Sequence, residues 1–485
     1  MRYSPLFYAV LCCVLMMLPG AGSLAAAAEA GPREGSIEGY WRGLQDDGVW
    51  AFVFQFIETA PGSYDGRIHV YKDEMKVEEV PIRTVQYADG RVSMHVELNN
   101  VRVEGPVDIA KQAIEATFLY EDGSTLDMVL DRVDPSTLKG LAAAPVKQGG
   151  EYVYEYAKPE GTGDGWKISS LKAEGLAPGP IEDLVTAAVD GEFGYLHSLI
   201  IVRNGKLVLD EYFYGHSREA VHRLASVTKS VSSLLIGIAI GRGEIAGVDE
   251  GIKTFFPEYG TGMAAGWEDI RLSHILTMSA SVGWDQEDLA GFYDSEDHFG
   301  TVFKQPIAGM PGEKFEYVSP NVDLLAGVIK HATGLHADQY AEKHLFEPLA
   351  FGPYDWEYGK WEGYPLMDGS LHLRPRDMAK LGQLLLDGGQ WNGERVVPAD
   401  WIEVSTAAQM DAGGREEYAY LWWRGSQSLG DKVVEGIFAN GWGSQFIFVL
   451  PEYDLVVVTT GGNHDNGKHF APLKMFPDYI LQALE

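Results

Sequence analysis

The stretch His222-Arg223-Leu224-Ala225-Ser226-Val227-Thr228-Lys229-Ser230 leads directly into a long apolar segment, residues 231–245. This segment predicts a buried helix. Residues three apart on a helix share a face, so the amine of Lys229 can reach the hydroxyl of Ser226. A serine hydroxyl is a poor nucleophile until a base lies beside it, and burial disfavours the charged form of a lysine. The stretch therefore predicts Ser226 as a nucleophile assisted by Lys229.

The four-residue pattern is not specific by itself, because the chain contains it twice more. Residues 136–139 (Ser-Thr-Leu-Lys) follow Pro135, and residues 169–172 (Ser-Ser-Leu-Lys) lie beside a glycine-rich stretch. Neither copy leads into an apolar helix, so both are interpreted as exposed polar residues. For Ser226, the apolar helix alone leaves a catalytic and a structural role equally open.

Residues 222–230 closely resemble the active-site segment of class C beta-lactamase-like proteins. That group includes penicillin-binding DD-peptidases, family VIII esterases and 6-aminohexanoate-dimer hydrolases. The resemblance extends from about residue 195 to residue 485, and it leaves residues 36–135 outside. Four further segments are similar to family landmarks: residues 199–212, 276–281, 374–377 and 388–393.

The resemblance implies a second motif, which is Tyr-x-Asn in the family. The matching run here is Phe-Glu-Tyr-Val-Ser-Pro-Asn at residues 315–321. Tyr317 takes the tyrosine position, and its phenol is expected to relay a proton between Ser226, Lys229 and the leaving group. Ser319 replaces the asparagine that contacts the substrate amide in the lactamases. A Tyr-x-Ser form is similar to the 6-aminohexanoate-dimer hydrolases and some esterases.

The third family motif is Lys-Thr-Gly or His-x-Gly, on the strand that lines the cleft. Its match is Ala439-Asn440-Gly441, followed by Trp442. The resemblance implies that Gly441 contacts substrate and that the N–H groups of Ser226 and Trp442 form an oxyanion hole. Each such donor contributes roughly 10²–10³-fold in rate. Ala439 stands where the family's basic residue holds a substrate carboxylate, which argues against classical penicillins. A plain hairpin turn is the alternative interpretation of this stretch.

Residues 36–135 predict a small antiparallel all-β domain, either a barrel or a sandwich. Apolar residues alternate in three runs, at 52–56, 92–98 and 114–120, and turn signals stand at 88–90 and 121–123. We find no catalytic constellation there. Residues 136–175 are less regular and glycine-rich, and we expect a linker.

Residues 176–485 predict an α+β domain. Strands at 197–202 and 206–212 are joined by Asn204-Gly205, a strong hairpin signal, and strands at 446–450 and 455–460 stand near the other end. Helices are expected at 181–189, 231–245, 377–386 and 474–484. The resemblance implies a beta-lactamase/transpeptidase-like antiparallel sheet flanked by helices, with a helical region beside it.

Residues 1–28 resemble a secretory signal peptide. Arg2 precedes a short apolar run at 6–18, and small residues for cleavage follow at 25–30. The run is too short for a comfortable membrane span. It contains Cys12 and Cys13, so the mature chain is expected to have no cysteine, hence no disulfide and no thiolate metal site.

The formal net charge of −32 argues against nucleic acid and anionic membrane surfaces as partners. Gly-x-Ser-x-Gly, His-Glu-x-x-His and phosphate-loop motifs do not occur in the sequence.

Together, these features predict an exported bacterial serine hydrolase that acts through an acyl-enzyme on a carboxylic ester or linear amide. No metal or cofactor is implied, no membrane segment is expected in the mature chain, and no oligomeric state is predicted. Two alternatives remain at this stage: a beta-lactamase or DD-peptidase, and a catalytically inactive scaffold or sensor.

Overall fold

The structure is a computed structural model that describes residues 36–44, 50–60, 62–72, 75–96, 101–120, 123–133, 154–214, 216–285, 291–359, 363–414, 416–429, 432–464 and 467–484. The expected signal peptide and both cysteines lie outside these residues, as does the expected linker up to residue 153. The chain divides into two compact units. The first contains residues 1–146, 213–220 and 462–469, and the second contains residues 147–212, 221–461 and 470–485.

The first unit is built around a closed antiparallel barrel in which each strand pairs with the next and the eighth pairs with the first. The strands are β1 (Gly39–Leu44), β2 (Trp50–Ala60), β3 (Ser63–Lys72), β4 (Met75–Ala88), β5 (Arg91–Val96), β6 (Val101–Asp108), β7 (Ala113–Leu119) and β8 (Thr125–Val133).

The barrel has a core of its own. Trp41, Phe54 and Phe118 are buried, and the rings of Phe54 and Phe118 lie 6.0 Å apart. At the β4–β5 turn, Asp89 and Gly90 both have positive φ, as the hairpin signal there predicts. The expected all-β domain is thus confirmed as a barrel.

The second unit contains helices that we number along the chain. They are α1 (Pro178–Val189), α2 (Val227–Gly241), α3 (Leu272–Leu276), α4 (His298–Lys304), α5 (Leu324–Thr333), α6 (Ala337–Ala341), α7 (Pro375–Leu386) and α8 (Ala399–Thr406). Its strands are β9 (Lys167–Ile168), β10 (Leu196–Arg203), β11 (Lys206–Tyr212), β12 (His222–Arg223), β13 (Asp355–Trp356), β14 (Leu371–Leu373), β15 (Gln390–Trp391), β16 (Glu394–Arg395), β17 (Met410–Gly413), β18 (Glu416–Tyr418), β19 (Trp423–Leu429), β20 (Lys432–Gly441), β21 (Gln445–Leu450) and β22 (Leu455–Gly461).

The main sheet joins strands from both ends of this unit. Its order is β17-β18-β19-β20-β21-β22-β10-β11-β9, and every pair is antiparallel except β11 with β9. Pairing of β10 with β22 joins the two ends of this unit in one sheet, with Arg203 opposite Leu455, and apolar residues of both strands share one core. The predicted α+β architecture is confirmed.

Helix α2 runs through the core between this sheet and the other helices. Its residues from Val227 to Ala239 are all buried. A Cβ added at Gly237 would lie 2.1 Å from the Trp401 ring of α8, so glycine permits this close helix contact. The helix begins four residues earlier than the apolar pattern predicts and ends at Gly241 rather than near residue 245.

The helix expected at 474–484 is confirmed only in part, with shorter bounds and other hydrogen bonding. The chain forms a 3-10 turn at Ala471–Lys474 and a π-helical turn at Phe476–Ile480. Pro477 lies in the first turn of the π-helical segment, where a missing N–H donor is tolerated. In the described part of the chain, no helix has both the length and the apolarity needed to cross a bilayer.

Candidate active site

Ser226 is the residue immediately before α2. The preceding residue, Ala225, has a φ of +45°, which costs a non-glycine residue about 1–2 kcal/mol. The N–H groups of Val227 and Thr228 close the turn by donating to the carbonyls of Leu224 (3.2 Å) and Ala225 (3.0 Å). This strained turn places the half-buried Ser226 at the N-terminal end of the helix.

Lys229 lies one turn along α2 and points at the serine. Its Nζ donates to Ser226 Oγ at 3.0 Å and to the backbone carbonyl of Asp368 at 2.5 Å. The residue is 1% exposed. The contact predicted from their spacing is therefore present, and a second oxygen fixes the direction of the amine.

The Asp368 carbonyl belongs to a loop that α2 and the turn before α5 hold in place. Asp323 Oδ1 accepts hydrogen bonds from the N–H groups of Met367 (2.7 Å) and Asp368 (3.1 Å). Ser232 of α2 donates to the Met367 carbonyl at 3.0 Å. The Asp368 carboxylate accepts a short hydrogen bond from the Tyr293 hydroxyl.

Tyr317 meets Lys229 through the face of its ring. Lys229 Nζ lies 5.3 Å from the ring centroid, which is within cation–π range. The Tyr317 ring stacks on Trp423 at 5.7 Å and meets the buried Tyr418 edge-on at 6.2 Å. These two aromatic contacts fix the plane of Tyr317, although its side chain is 39% exposed.

The environment of Tyr418 differs from that of Tyr317. Burial first, and the neighbouring Tyr317 second, raise the pKa of the Tyr418 hydroxyl well above its usual value. Tyr418 therefore stays protonated and acts as a neutral wall for the ring of Tyr317.

Ser319, the other expected substrate contact, lies in the 3-10 turn Ser319–Asp323 and is 6% exposed. The structure places it two residues from Tyr317, but its hydroxyl hydrogen-bonds to neither Ser226 nor Lys229 among the described residues. The nearby amide of Asn321 instead accepts from Trp284 Nε1 at 2.9 Å.

Gly441 ends β20 directly against the serine. A Cβ added there would lie 2.1 Å from the Leu224 carbonyl and 3.1 Å from the Ser226 nitrogen. A side chain would therefore separate the strand from the turn that carries Ser226. The structure brings Gly441 and Ser226 together, as the third motif implies.

The turn after Gly441 carries Trp442, and Gln445 holds that turn. Gln445 Nε2 donates to the carbonyls of Trp442 (3.1 Å) and Gly461 (2.6 Å), and its Oε1 accepts from the Gly461 N–H at 3.1 Å. The Trp442 ring is 41% exposed. Gln445 thus fixes the carbonyl of Trp442, in the peptide that follows the one whose N–H would supply the second oxyanion donor.

Four contributors were missed in the sequence: Asp323, Asp368, Gln445 and the stacking role of Trp423. Asp323 carried a usable signal, because it is a lone acid between Val322 and the apolar start of α5. Asp368 acts through a backbone carbonyl, so its residue type carried no signal.

Among the described residues of the second unit, one cluster has donor atoms that could hold a metal ion: the ligand atoms of Asp355, Glu357 and His372 lie within 4.8 Å of one another. His372 Nδ1 donates to the Ser370 carbonyl at 3.2 Å, and its Nε2 lies 3.5 Å from Glu357 Oε1. With the imidazole protonated, the same atoms form an ion pair. None of these three residues contacts Ser226 or Lys229 through a hydrogen bond among the described residues.

The fold and the site define a class of protein: an antiparallel sheet beside a helical region, with a Ser-x-x-Lys helix start between them. The sequence profile of the Beta-lactamase family matches residues 195–469. This is more than half of the 485-residue chain, and the chain belongs to that family.

Known relatives carry several names. The 6-aminohexanoate-dimer hydrolase of Paenarthrobacter ureafaciens is 25% identical over 287 residues, which cover 54% of this chain and 71% of the relative. Esterase EstB of Burkholderia gladioli is 28% identical over 170 residues, covering 32% of this chain and 43% of the esterase. The match to EstB therefore spans less than half of that relative.

Among solved structures, a penicillin-binding protein homolog from Caulobacter crescentus has a TM-score of 0.50 at 16% identity. The match covers 64% of this chain and 99% of that one. Likeness at this level of identity concerns the fold alone. The family as a whole is one of hydrolases that includes esterases, amide hydrolases and penicillin-binding proteins.

Proposed function

We propose that this protein is a serine hydrolase that cleaves a carboxylic ester or linear amide through an acyl-enzyme on Ser226. The observation that carries the proposal is the 3.0 Å contact between Lys229 Nζ and Ser226 Oγ, made by a lysine that is 1% exposed. A buried amine aimed at a serine hydroxyl is the arrangement that nucleophilic catalysis requires.

In the first half-reaction, Ser226 Oγ attacks the substrate carbonyl while Lys229 in its amine form takes the hydroxyl proton. The resulting oxyanion accepts hydrogen bonds from the N–H groups of Ser226 and Trp442. Tyr317, which lies over Lys229, gives its phenol proton to the departing alcohol or amine and recovers a proton from the Lys229 ammonium, so both groups return to their starting forms. Collapse of the tetrahedral intermediate then breaks the ester or amide bond and leaves an acyl group on Ser226.

In the second half-reaction, water attacks the acyl-enzyme. The same groups take the proton from that water and return it to Ser226 Oγ, which releases the carboxylic acid. Neither half-reaction requires a metal ion or a cofactor.

The substrate class follows from the third motif. Ala439 is fully buried in the core, so the strand offers no cation at the position where the family holds a substrate carboxylate. An ester or linear amide needs no such cation. The names of the amide hydrolase and esterase among the relatives favour the same substrate class.

A chromogenic panel tests this proposal: p-nitrophenyl esters of short and medium chain length, an anilide, and a cephalosporin. We expect turnover of an ester or amide by the wild type, and a loss of roughly 10³-fold or more in Ser226→Ala. Ser169→Ala, which alters another Ser-x-x-Lys sequence, is the matched control and should keep the hydrolysis rate of the wild type.

Other outcomes of the panel decide between the remaining functions. Efficient cephalosporin hydrolysis would favour a beta-lactamase. Equal inactivity of the wild type and Ser226→Ala toward every acyl donor would favour a scaffold or sensor.

Export is proposed separately, on the signal-like pattern at residues 1–28, with a small-molecule substrate met in the periplasm or outside the cell. N-terminal sequencing of the protein from a periplasmic or culture fraction should begin near residue 28. A chain that starts at Met1 in the cytoplasm would contradict this.

A further inference from the structure

Asp323 is a buried acid that lies between Tyr317 and α5. It ends the 3-10 turn that begins two residues after Tyr317, and it directly precedes α5. It is 0% exposed. A carboxyl group is costly to bury without compensation, so its contacts indicate what retains it there.

Both hydrogen bonds of this carboxyl group among the described residues go to one oxygen, Oδ1. Oδ1 accepts from the N–H groups of Met367 at 2.7 Å and of Asp368 at 3.1 Å. Two consecutive peptide N–H groups converging on one atom fix the orientation of both peptide planes. The next group along the chain is the Asp368 carbonyl, which accepts from Lys229 Nζ at 2.5 Å.

Hydrogen bonds, together with the backbone of residues 367–368, therefore connect Asp323 to the nucleophile. The connection runs from the carboxyl to the backbone of residues 367–368, from the Asp368 carbonyl to Lys229, and from Lys229 to Ser226 Oγ at 3.0 Å. Because Lys229 has only the Asp368 carbonyl and the serine as its hydrogen-bond partners among the described residues, a shift of that carbonyl would redirect the amine.

The other carboxyl oxygen, Oδ2, differs from Oδ1. Oδ2 is buried and makes no hydrogen bond among the described residues. Burial first, and the neighbouring Asp368 second, raise the pKa of Asp323 well above its usual value, although its backbone hydrogen bonds and Lys229 act in the opposite direction. A neutral acid retains the accepting oxygen without adding a negative charge that would stabilise the ammonium form of Lys229.

We infer that Asp323 is a positioning residue for catalysis: its Oδ1 fixes the Asp368 carbonyl, which in turn aims Lys229 at Ser226. This inference rests on the proposed function of Ser226 and Lys229. It assigns Asp323 no contact with substrate, and it makes the accepting oxygen, rather than a negative charge, the feature that matters.

The test compares three variants with the wild type. Asp323→Ala removes the acceptor, and Asp323→Asn keeps an accepting oxygen of the same reach. Ser370→Ala is the matched control, since it removes buried hydrogen bonds to the Leu366 and Glu357 carbonyls from the same loop without touching Asp368.

Four quantities are measured on the full chain: the rate of Ser226 labelling by a fluorophosphonate, kcat and KM for the ester cleaved best, and the unfolding midpoint. Asp323→Ala should lower the labelling rate and kcat by roughly 10²-fold, as a misaimed catalytic group does, with KM little changed. Asp323→Asn should restore most of both rates, and Ser370→Ala should resemble the wild type. Should Asp323→Ala not fold, Asp323→Ser, whose hydroxyl is too short to span the same gap, takes its place.

Three results would overturn the inference while leaving the proposed function intact. They are an unchanged kcat in Asp323→Ala, equal damage in Asp323→Asn and Asp323→Ala, and equal damage in Ser370→Ala. A wild type that neither turns over an ester nor labels at Ser226 would overturn the proposed function as well, so the two failures are distinguishable.

Discussion

At the scale of single residues, the site depends on one close approach that only glycine permits. Gly441 touches the turn before Ser226, and a Cβ there would come within 2.1 Å of the Leu224 carbonyl. Backbone atoms cannot yield as a flexible side chain can, so the strand itself would have to move. The N–H of Trp442 would move with it.

Gly441→Ala should therefore lose roughly 10²-fold or more of the ester hydrolysis rate, because a displaced oxyanion donor costs about that much. Gly436→Ala on the same strand is the control, since its Cβ would meet only the Val449 carbonyl at 3.4 Å. Initial rates and unfolding midpoints of both variants check this. Equal activity in the two variants would contradict the assigned contact.

The role of the Tyr317 hydroxyl can be separated from that of its ring. Tyr317→Phe keeps the ring, with its stack on Trp423 and its face toward Lys229, but it removes the phenol hydroxyl and its proton. We expect kcat to fall by roughly 10²-fold or more. Tyr418→Phe removes a neighbouring hydroxyl from a residue that stays protonated, and its kcat should change little. A fully active Tyr317→Phe would assign proton transfer to Lys229 alone.

The sequence predicted which residues lie together where a side chain, or the lack of one, is distinctive. Ser226, Lys229 and Gly441 meet as expected, and Tyr317 lies over Lys229. Asp323 and Gln445 bind backbone groups of other loops, and Asp368 contacts Lys229 through its own backbone carbonyl. No local pattern encodes such contacts, because they arise only when the loops pack.

At the scale of elements, buried ion pairs tie α7 to the sheet. Arg376, which is 1% exposed, donates to Asp210 Oδ2 through Nε at 2.9 Å and through Nη2 at 2.5 Å. Its Nη1 donates to Asp164 and Thr162, at 3.1 Å each. Asp210 lies on β11, so the guanidinium joins the helix start to the strand.

Arg376→Met should destabilise the protein by about 3–5 kcal/mol, because it leaves two carboxylates buried without their partner. Arg271→Met, which breaks an exposed ion pair with Asp249, should cost about 1 kcal/mol or less. Urea unfolding at neutral pH measures both. A small loss of unfolding free energy in Arg376→Met would mean that water takes the place of the guanidinium beside the two carboxylates.

Glu174 predicts a pH dependence of stability. Burial acts to raise its pKa, but hydrogen bonds from Lys206, Ser169 and Asn204 outweigh burial and lower the pKa from 4.5 to about 2. A carboxyl with a depressed folded pKa stabilises the protein above its unfolded pKa. That contribution is lost as the pH falls through the folded value.

The free energy of unfolding of the wild type should therefore exceed that of Glu174→Gln near pH 6, and the difference should shrink between about pH 4.5 and pH 2. Urea titrations of both proteins across this range supply the test. A difference that is independent of pH would mean that Glu174 stabilises the fold by packing and hydrogen bonding rather than by its charge.

Elements with a strong local signal were predicted well, and those decided by packing were not. The Asn204-Gly205 turn between β10 and β11 forms as predicted, with positive φ at both residues. The helix expected at 474–484 forms only over Phe476–Ile480 and with π-helical hydrogen bonds, a difference that the apolar spacing did not show. The order of strands in the main sheet depends on pairing β10 with β22, and no local pattern encodes it.

At the scale of the whole molecule, the chain has a closed eight-stranded barrel and a beta-lactamase-family unit, each described by its own core. Alternating apolar residues and turn signals predicted an all-β segment but left open whether it is a barrel or a sandwich. Closure is decided by the pairing of β1 with β8, which lies between the two ends of the segment. All of the residues assigned to catalysis lie in the second unit.

The most direct test of the central claim is the capture of the acyl-enzyme. The full chain is mixed with a p-nitrophenyl ester, quenched in acid within milliseconds, and analysed by peptide mass spectrometry. We predict an acyl group on the peptide that contains Ser226, and none on the same peptide of Ser226→Ala. Turnover by the wild type with the acyl group on another residue, or with equal rates in Ser226→Ala, would contradict the assignment of Ser226 as nucleophile.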